Sequence, residues 1–292
     1  MKTNSIYNTS LLAAALLLAA TSCVKDELHD TPHPDKGKIT VSADWSDRGD
    51  GVDIPAEWTM TMGDYAGTET GETHAPDYLF NPGSYTLAAY NTPENITISG
   101  TIATVAPETG IGTYISNAPG WLFTSVQEVT VEADTDHELT AAMHQQVREL
   151  NIIIEPTGDA KDRIENIEGH LSGAAGAFDF ATGTYGAASD VVLHFTRITE
   201  GSDAGKWTAT VRLLGITGNT QTLTATLTYA DGNPADTGLE SDLTEALADF
   251  NADRTVPLTL GGTIADTPTE AGVEAGITGW EKIDGGDVNA DL

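Results

Sequence analysis

The chain has 292 residues, with 13 Lys and Arg against 44 Asp and Glu, which gives a formal net charge of -31 at pH 7. A phosphate polymer is bound by clustered cations that displace its counterions, so nucleic acid is excluded as a main partner, and the same charge gives no attraction to an anionic membrane. Hydrophobic residues at 39% and charged residues at 20% suffice for packed cores, and the length corresponds to one large domain or two modest ones. The single cysteine, Cys23, excludes an intrachain disulfide framework and a thiolate metal cage.

In chain order, the first feature is Lys2 followed by an apolar run over 11–20 (LLAAALLLAA) and the small residues Ala20, Thr21 and Ser22. This pattern predicts an export signal over 1–22, cut between Ser22 and Cys23. Ten helical residues rise only about 15 Å, too little for a hydrocarbon core of roughly 30 Å. Small residues abutting a lone cysteine resemble the lipobox of bacterial lipoproteins, although Ala20 stands where Leu is usual. An ordinary secretory signal with an incidental cysteine is the plainer alternative. The resemblance implies that Cys23 becomes the N-terminus and carries acyl chains. Two or three chains, at about 0.8 kcal/mol per buried CH₂, hold far more firmly than one. Val24-Lys25-Asp26-Glu27 is similar to the charged signal that sends lipoproteins to the cell surface in Bacteroidota, and reads equally as a solvated leader. Residues 23–37, with His29, Pro32, His33 and Pro34 and no periodicity, are expected to be a spacer.

From there, apolar residues alternate with threonine, the period of a half-buried sheet. Strands are predicted over 39–45, 58–62, 85–90, 96–105, 126–133, 150–155, 191–198, 207–213, 222–229 and 256–260. In TLTATLTY, Leu223, Ala225, Leu227 and Tyr229 share one face; Trp207, Ala209, Val211 and Leu213 repeat the pattern upstream. With GITGNT over 215–220 as the turn, these two runs are expected to form a hairpin. One helix is predicted, with Thr237 and Glu240 as a capping box and Leu239, Leu243, Leu247 and Phe250 at helical spacing. The expected fold class is all-β: two tandem antiparallel sandwiches, 38–142 and 143–292, with one short helix and an acidic tail.

The order of these segments has a further meaning. A lipoprotein-like signal precedes the 39–45 strand and Asn81-Pro-Gly-Ser-Tyr-Thr-Leu-Ala-Ala-Tyr-Asn91. A strand crossing 143–155, then Val256-Pro-Leu-Thr-Leu260 and Ile277-Thr-Gly-Trp280, complete the series. Over nearly its whole length the chain resembles the FimB-type anchor subunits of the type V fimbriae of Bacteroidota. The resemblance implies transthyretin-like sandwiches, no cofactor and no catalysis. It also implies pilin partners joined by β-strand contacts, and an outer-membrane position facing the cell exterior. Stalk subunits of that family lose an N-terminal strand to an Arg-specific protease, and a neighbour's strand fills the groove. Arg48, in Trp45-Ser-Asp-Arg-Gly-Asp50, is the corresponding protease-sensitive position. Cleavage there would sever Cys23 from the body, so an anchor is expected to keep its 39–45 strand and to use another element for attachment, with 272–282 as the candidate. Stalk and tip roles share the fold and remain open.

Other motifs carry less. Arg48-Gly49-Asp50 spells an integrin-type tripeptide that a Gly- and Asp-rich chain produces by chance. Asp287-Val-Asn-Ala-Asp291 starts like a calcium loop, but Leu292 stands where glycine is needed. His29 and His33 are four apart in a Pro-containing spacer, and the remaining histidines show no paired spacing. The sequence has no Gly-rich phosphate loop, Gly-x-Ser-x-Gly elbow or His-Glu-x-x-His, and no catalytic or metal residue is assigned. Tryptophan faces stack on sugars, so a glycan-binding surface lipoprotein is the alternative function. Trp45, Trp58 and Trp207 lie on the apolar phase of strands, which leaves Trp121, after Asn117-Ala-Pro-Gly120, as the ring expected to be exposed.

Overall fold

The structure is a computed structural model that describes residues 35–109, 114–264 and 275–283. Its first strand, Gly37–Asp44, alternates apolar and polar side chains, so Ile39, Val41 and Ala43 all point into one core and are fully or nearly fully buried. It runs parallel to Asp136–Ala142 along one edge and antiparallel to Thr73–His74 and Leu79–Phe80 along the other. The facing wall holds, in order, His144–Gln145, Phe123–Val131, Gly83–Tyr90, Trp58–Met62 and Tyr65–Glu69. Trp58, Met60, Met62, Phe80, Leu87 and Phe123 meet the first strand in this core.

A second core lies inside a nine-stranded sheet that curls until both halves bury their apolar faces against each other. One half contains Ala188–His194, Ile164–Ala175, Thr222–Tyr229 and Thr237–Asp242; the other contains Leu258–Ile264, Arg148–Pro156, Trp207–Leu213 and Thr196–Arg197. Ala275–Lys282 joins the halves, antiparallel to Leu258–Ile264 and parallel to residues 239–240. Two of its residues face one across a bulge opposite Gly262, and Gly279 sits there at φ +68°, a backbone position that glycine takes without strain. Ile96–Ser99 and Ile102–Val105 pair with Ala177–Asp179 and Thr184–Tyr185 in a small sheet, which delivers Ile96, Ala103 and Val105 to the second core from the first half of the chain, and Leu122 joins them from the loop before Phe123–Val131.

Three expectations need correction. Thr237–Asp242 is a strand with Thr237, Leu239 and Ser241 inward, and turns follow it through Phe250; no α-helix occurs among the described residues. Leu243, Leu247 and Phe250 are buried as expected, because the turns fold back onto the core and not because a helix presents them. The 207–213 and 222–229 runs do not form a hairpin. Trp207–Leu213 pairs with Arg148–Pro156, and Thr222–Tyr229 pairs with Ile164–Ala175 and Thr237–Asp242. Alternation fixes which face of a strand is buried, and two strands on opposite walls of one core satisfy it as well as two neighbours. Residues 136–142, over which no strand is predicted, are the parallel partner of the first strand. With the 148–156 and 258–264 pair and the short 239–240 contact, parallel pairing enters an otherwise antiparallel fold.

Candidate functional site

Of the residues singled out by the sequence, Arg48 lies on the loop that leaves the first strand. Ser22 and Cys23 lie outside the described residues, as do His29, His33, Val24 to Glu27 and the 287–291 segment. Arg48 lies on an exposed turn, yet its side chain folds back: Nη1 donates to the Trp45 carbonyl at 2.9 Å and Nε to the Val52 carbonyl at 3.2 Å. The next residue is buried. Gly49 N–H donates to Gln145 Oε1 at 2.8 Å, and a Cβ at Gly49 would collide with the Thr255 carbonyl oxygen. A protease must draw several residues around the scissile bond into an extended strand, and these contacts hold the Arg48–Gly49 bond in a turn.

Gln145 is the centre of this arrangement. Its Nε2 donates to the Arg254 carbonyl at 2.6 Å and the Val147 carbonyl at 3.0 Å, so one buried amide ties the loop after the first strand to the second core. Asp47 Oδ2 lies 2.6 Å from His144 Nδ1, Met143 N–H donates to the Asp44 carbonyl, and Gln145 N–H to the Asp47 carbonyl. Arg148 lies beside them, its Nε donating to the Val256 carbonyl and Nη1 to the Phe250 carbonyl, over the Phe250 ring. Burial lowers the Arg148 pKa and the nearby Asp253 charge opposes that shift, which leaves the guanidinium a cation at neutral pH.

A second clamp holds the other edge of the strand. His74, opposite Val41 in the sheet, is only 8% exposed, with Nε2 at 2.7 Å from the Tyr65 hydroxyl and Nδ1 at 3.3 Å from Glu69 Oε2. A proton on Nδ1 satisfies all three: the imidazole donates to the carboxylate and accepts from the phenol. Burial, and then the Glu69 charge, raise the Tyr65 pKa, so the phenol stays a donor. N–H groups of Gly71 and Thr70, followed by His74, hold the Glu69 carboxyl below its ordinary range. None of Tyr65, Glu69, Gln145 or this role of His74 was visible from spacing. Polar residues show as structural only when their partners are brought together from distant segments.

The tryptophans resolve differently from one another. Trp45, Trp58 and Trp207 are core. Trp121 is not the exposed ring expected: it is partly buried against both cores, with the Arg212 guanidinium 5.3 Å from its ring. Trp280 is also partly buried, and its indole N–H donates to Ser241 at 2.8 Å. The described part of the 272–282 candidate, from residue 275, is therefore a strand of the second sheet. No group of three or more His, Cys, Asp or Glu is placed to hold a metal among the described residues.

A sandwich whose wall is completed by the chain's own first strand, braced on both sides, defines a self-complemented β-sandwich protein. The family model described as fimbrillin-A associated anchor proteins Mfa1 and Mfa2 matches residues 61–284, and the chain belongs to that family. This is a family of fimbrial anchor proteins, associated with fimbrial subunits and the cell surface, and not an enzyme family. No curated protein matches the sequence. Among solved structures, a candidate adhesin from Bacteroides ovatus shares 16% identity at a TM-score of 0.59, over 86% of this chain and 95% of its own. The fimbrial anchor protein Mfa2 from Porphyromonas gingivalis shares 14% at 0.56, over 85% and 97%. A candidate polysaccharide-binding protein from Bacteroides thetaiotaomicron shares 10% at 0.58, over 86% and 99%. At these identities the likeness is one of fold.

Two predictions follow from the clamps. Gln145→Leu leaves the Gly49 N–H and the Arg254 carbonyl without this partner, at about 1–3 kcal/mol for each buried group, and 1.4 kcal/mol is about tenfold in the open population that a protease samples. Trypsin should therefore release a fragment beginning at Gly49 at least about tenfold faster from Gln145→Leu than from wild type; equal rates would show that Gln145 does not guard the bond. The second concerns pH. Asp44, held low by Ser46, as well as Glu69 and Asp253, held low chiefly by Thr255, have folded pKa values below their unfolded ones. Such groups stabilise the fold above the unfolded carboxylate range, and that stability is lost as pH falls through the folded values. The urea midpoint should hold near neutrality and drop below about pH 4, with Glu69→Gln reducing the drop.

Proposed function

We propose that this protein is the lipid-anchored base subunit of a fimbria, exported with a signal over 1–22, acylated at Cys23 and held at the outer membrane facing the cell exterior. Residues 23–37 are the leash. The body is read as two sandwiches, 38–142 and 143–292, with 96–122 reaching across to the second core. The family supplies the fimbrial association. The observation that supports the anchor role is how the first strand is held: Gly37–Asp44 has sheet partners along both edges, and the Arg48–Gly49 bond behind it is tied down.

An anchor transmits tension from filament to membrane through one covalent path, so the path must not be cut. Here it runs from Cys23 along the leash, through the central strand of the first sheet, to the loop that Gln145 joins to the second core. Pulling on the leash loads a strand with ladder partners on both sides, and those hydrogen bonds must break together before the strand slides out. With the groove filled by the chain's own strand, the neighbouring pilin is expected to attach by strand contacts elsewhere on the body.

Replacing Cys23 tests the reading directly. In cells expressing Cys23→Ala, fimbriae should still assemble but appear in the medium instead of on the cell, measured by immunoblot of the two fractions. Fimbriae that stay cell-attached with the Cys23→Ala subunit at their base would overturn the lipid-anchor role.

A further inference from the structure

The surface at which the described chain begins differs in chemistry from the rest of this acidic protein. Lys36 and Lys38 line one shallow groove with Pro76, Asp77, Tyr78 and Leu79. Tyr78 and Leu79 are 42% and 44% exposed, and they are the only two of the exposed large apolar side chains among the described residues that adjoin in sequence. They are held rigidly. The Tyr78 ring packs 4.7 Å from buried Phe80 and 5.4 Å from Tyr65, and Leu79 pairs with Lys38 across the sheet. Between residues 35 and 142 the only cations are Lys36, Lys38 and Arg48, so two of three stand at this groove. Asp35, Asp77, Asp134 and Asp136 stand beside them, so the pole carries both signs, on a chain of net charge -31.

A tyrosine, a leucine and two lysines projecting from one rigid end suit a lipid–water interface. The leucine enters the acyl boundary, the phenol sits at headgroup level, and lysine stems lie along apolar surface while their ammonium groups reach phosphates. The position of the chain's start selects this occupant. Lys36 is thirteen residues after Cys23, at most about 45 Å of backbone, so a lipid on Cys23 keeps this pole within reach of the bilayer and makes contact an intramolecular event. Anionic headgroups repel the acidic surface as a whole, so the tether and the apolar pair, not net charge, favour this face.

We propose that the Tyr78–Leu79 pole docks on the headgroup layer of the bilayer that holds the Cys23 lipid. This rests on the lipid-anchor reading and adds an orientation to it. The first strand starts at the docked pole, its eight residues rise about 25 Å, and its far end enters the loop bound to the second core. The second core is thereby held away from the membrane, on the side where a filament attaches.

The test uses the full-length acylated protein, whose lone native cysteine is blocked by the lipid. Leu79→Cys, Ile102→Cys and Val256→Cys are each labelled with the environment-sensitive fluorophore NBD and reconstituted into phosphatidylethanolamine vesicles with a minor share of phosphatidylglycerol. Label at 79 should shift to the blue and be quenched severalfold more by doxyl lipid than label at 102 or 256. Equal, aqueous behaviour at all three positions in protein that floats with vesicles and carries acyl mass on Cys23 would overturn the docking and leave the anchor intact. Absence of acyl mass from the cell-derived protein would defeat the anchor reading and the docking together.

Discussion

The constraint on which the structure depends is the central position of the first strand. Gly37–Asp44 is flanked by Asp136–Ala142 on one edge and by Thr73–His74 and Leu79–Phe80 on the other, with Ile39 and Val41 in the core at no measurable exposure. Burying a side chain of that size contributes about 1.5–3 kcal/mol relative to leaving it in water. Removing the strand would open two sheet edges and a trough in the core at once. While it stays, no foreign strand can take its place between those two edges.

That central position sets the logic of the flanking polar contacts. A buried amide at Gln145 and a buried imidazole at His74 cost desolvation, and both are compensated only because segments far apart in sequence supply their partners. Gln145 joins residues 49 and 254, and His74 joins the 65–69 strand to the wall that holds the first strand. One device holds the loop behind the first strand and the other holds an edge of the strand itself. Arg148, reading the carbonyls of residues 250 and 256, extends the bracing into the second core.

Much of this was legible in the sequence. Alternation marked which residues point inward in 39–45, 58–62, 207–213 and 222–229, because period two is a property of each strand alone. Pairing was not legible, for the same reason: the pattern of Trp207–Leu213 says nothing about whether its neighbour is 222–229 or 148–156. The helix expected at 237–250 arose from reading leucines at four-residue intervals, while Thr237, Leu239 and Ser241 already carried the period of a strand. Arg48 was singled out from its place after the first strand. The contacts around it were not legible, since they depend on Gln145 nearly a hundred residues away and on the absence of a side chain at Gly49. Trp121 was read as exposed from its loop-like context, and loops between two packed cores bury their aromatics.

The proposed anchor requires an unbroken chain from the lipid, through the first strand, to the body. Intact-mass and N-terminal peptide analysis of the protein purified from cells measures this in one experiment. The result expected is a polypeptide that begins with acylated Cys23 and runs continuously through 37–44 and Arg48–Gly49. A cell-associated form that begins at Gly49, or an unmodified Cys23, would contradict it.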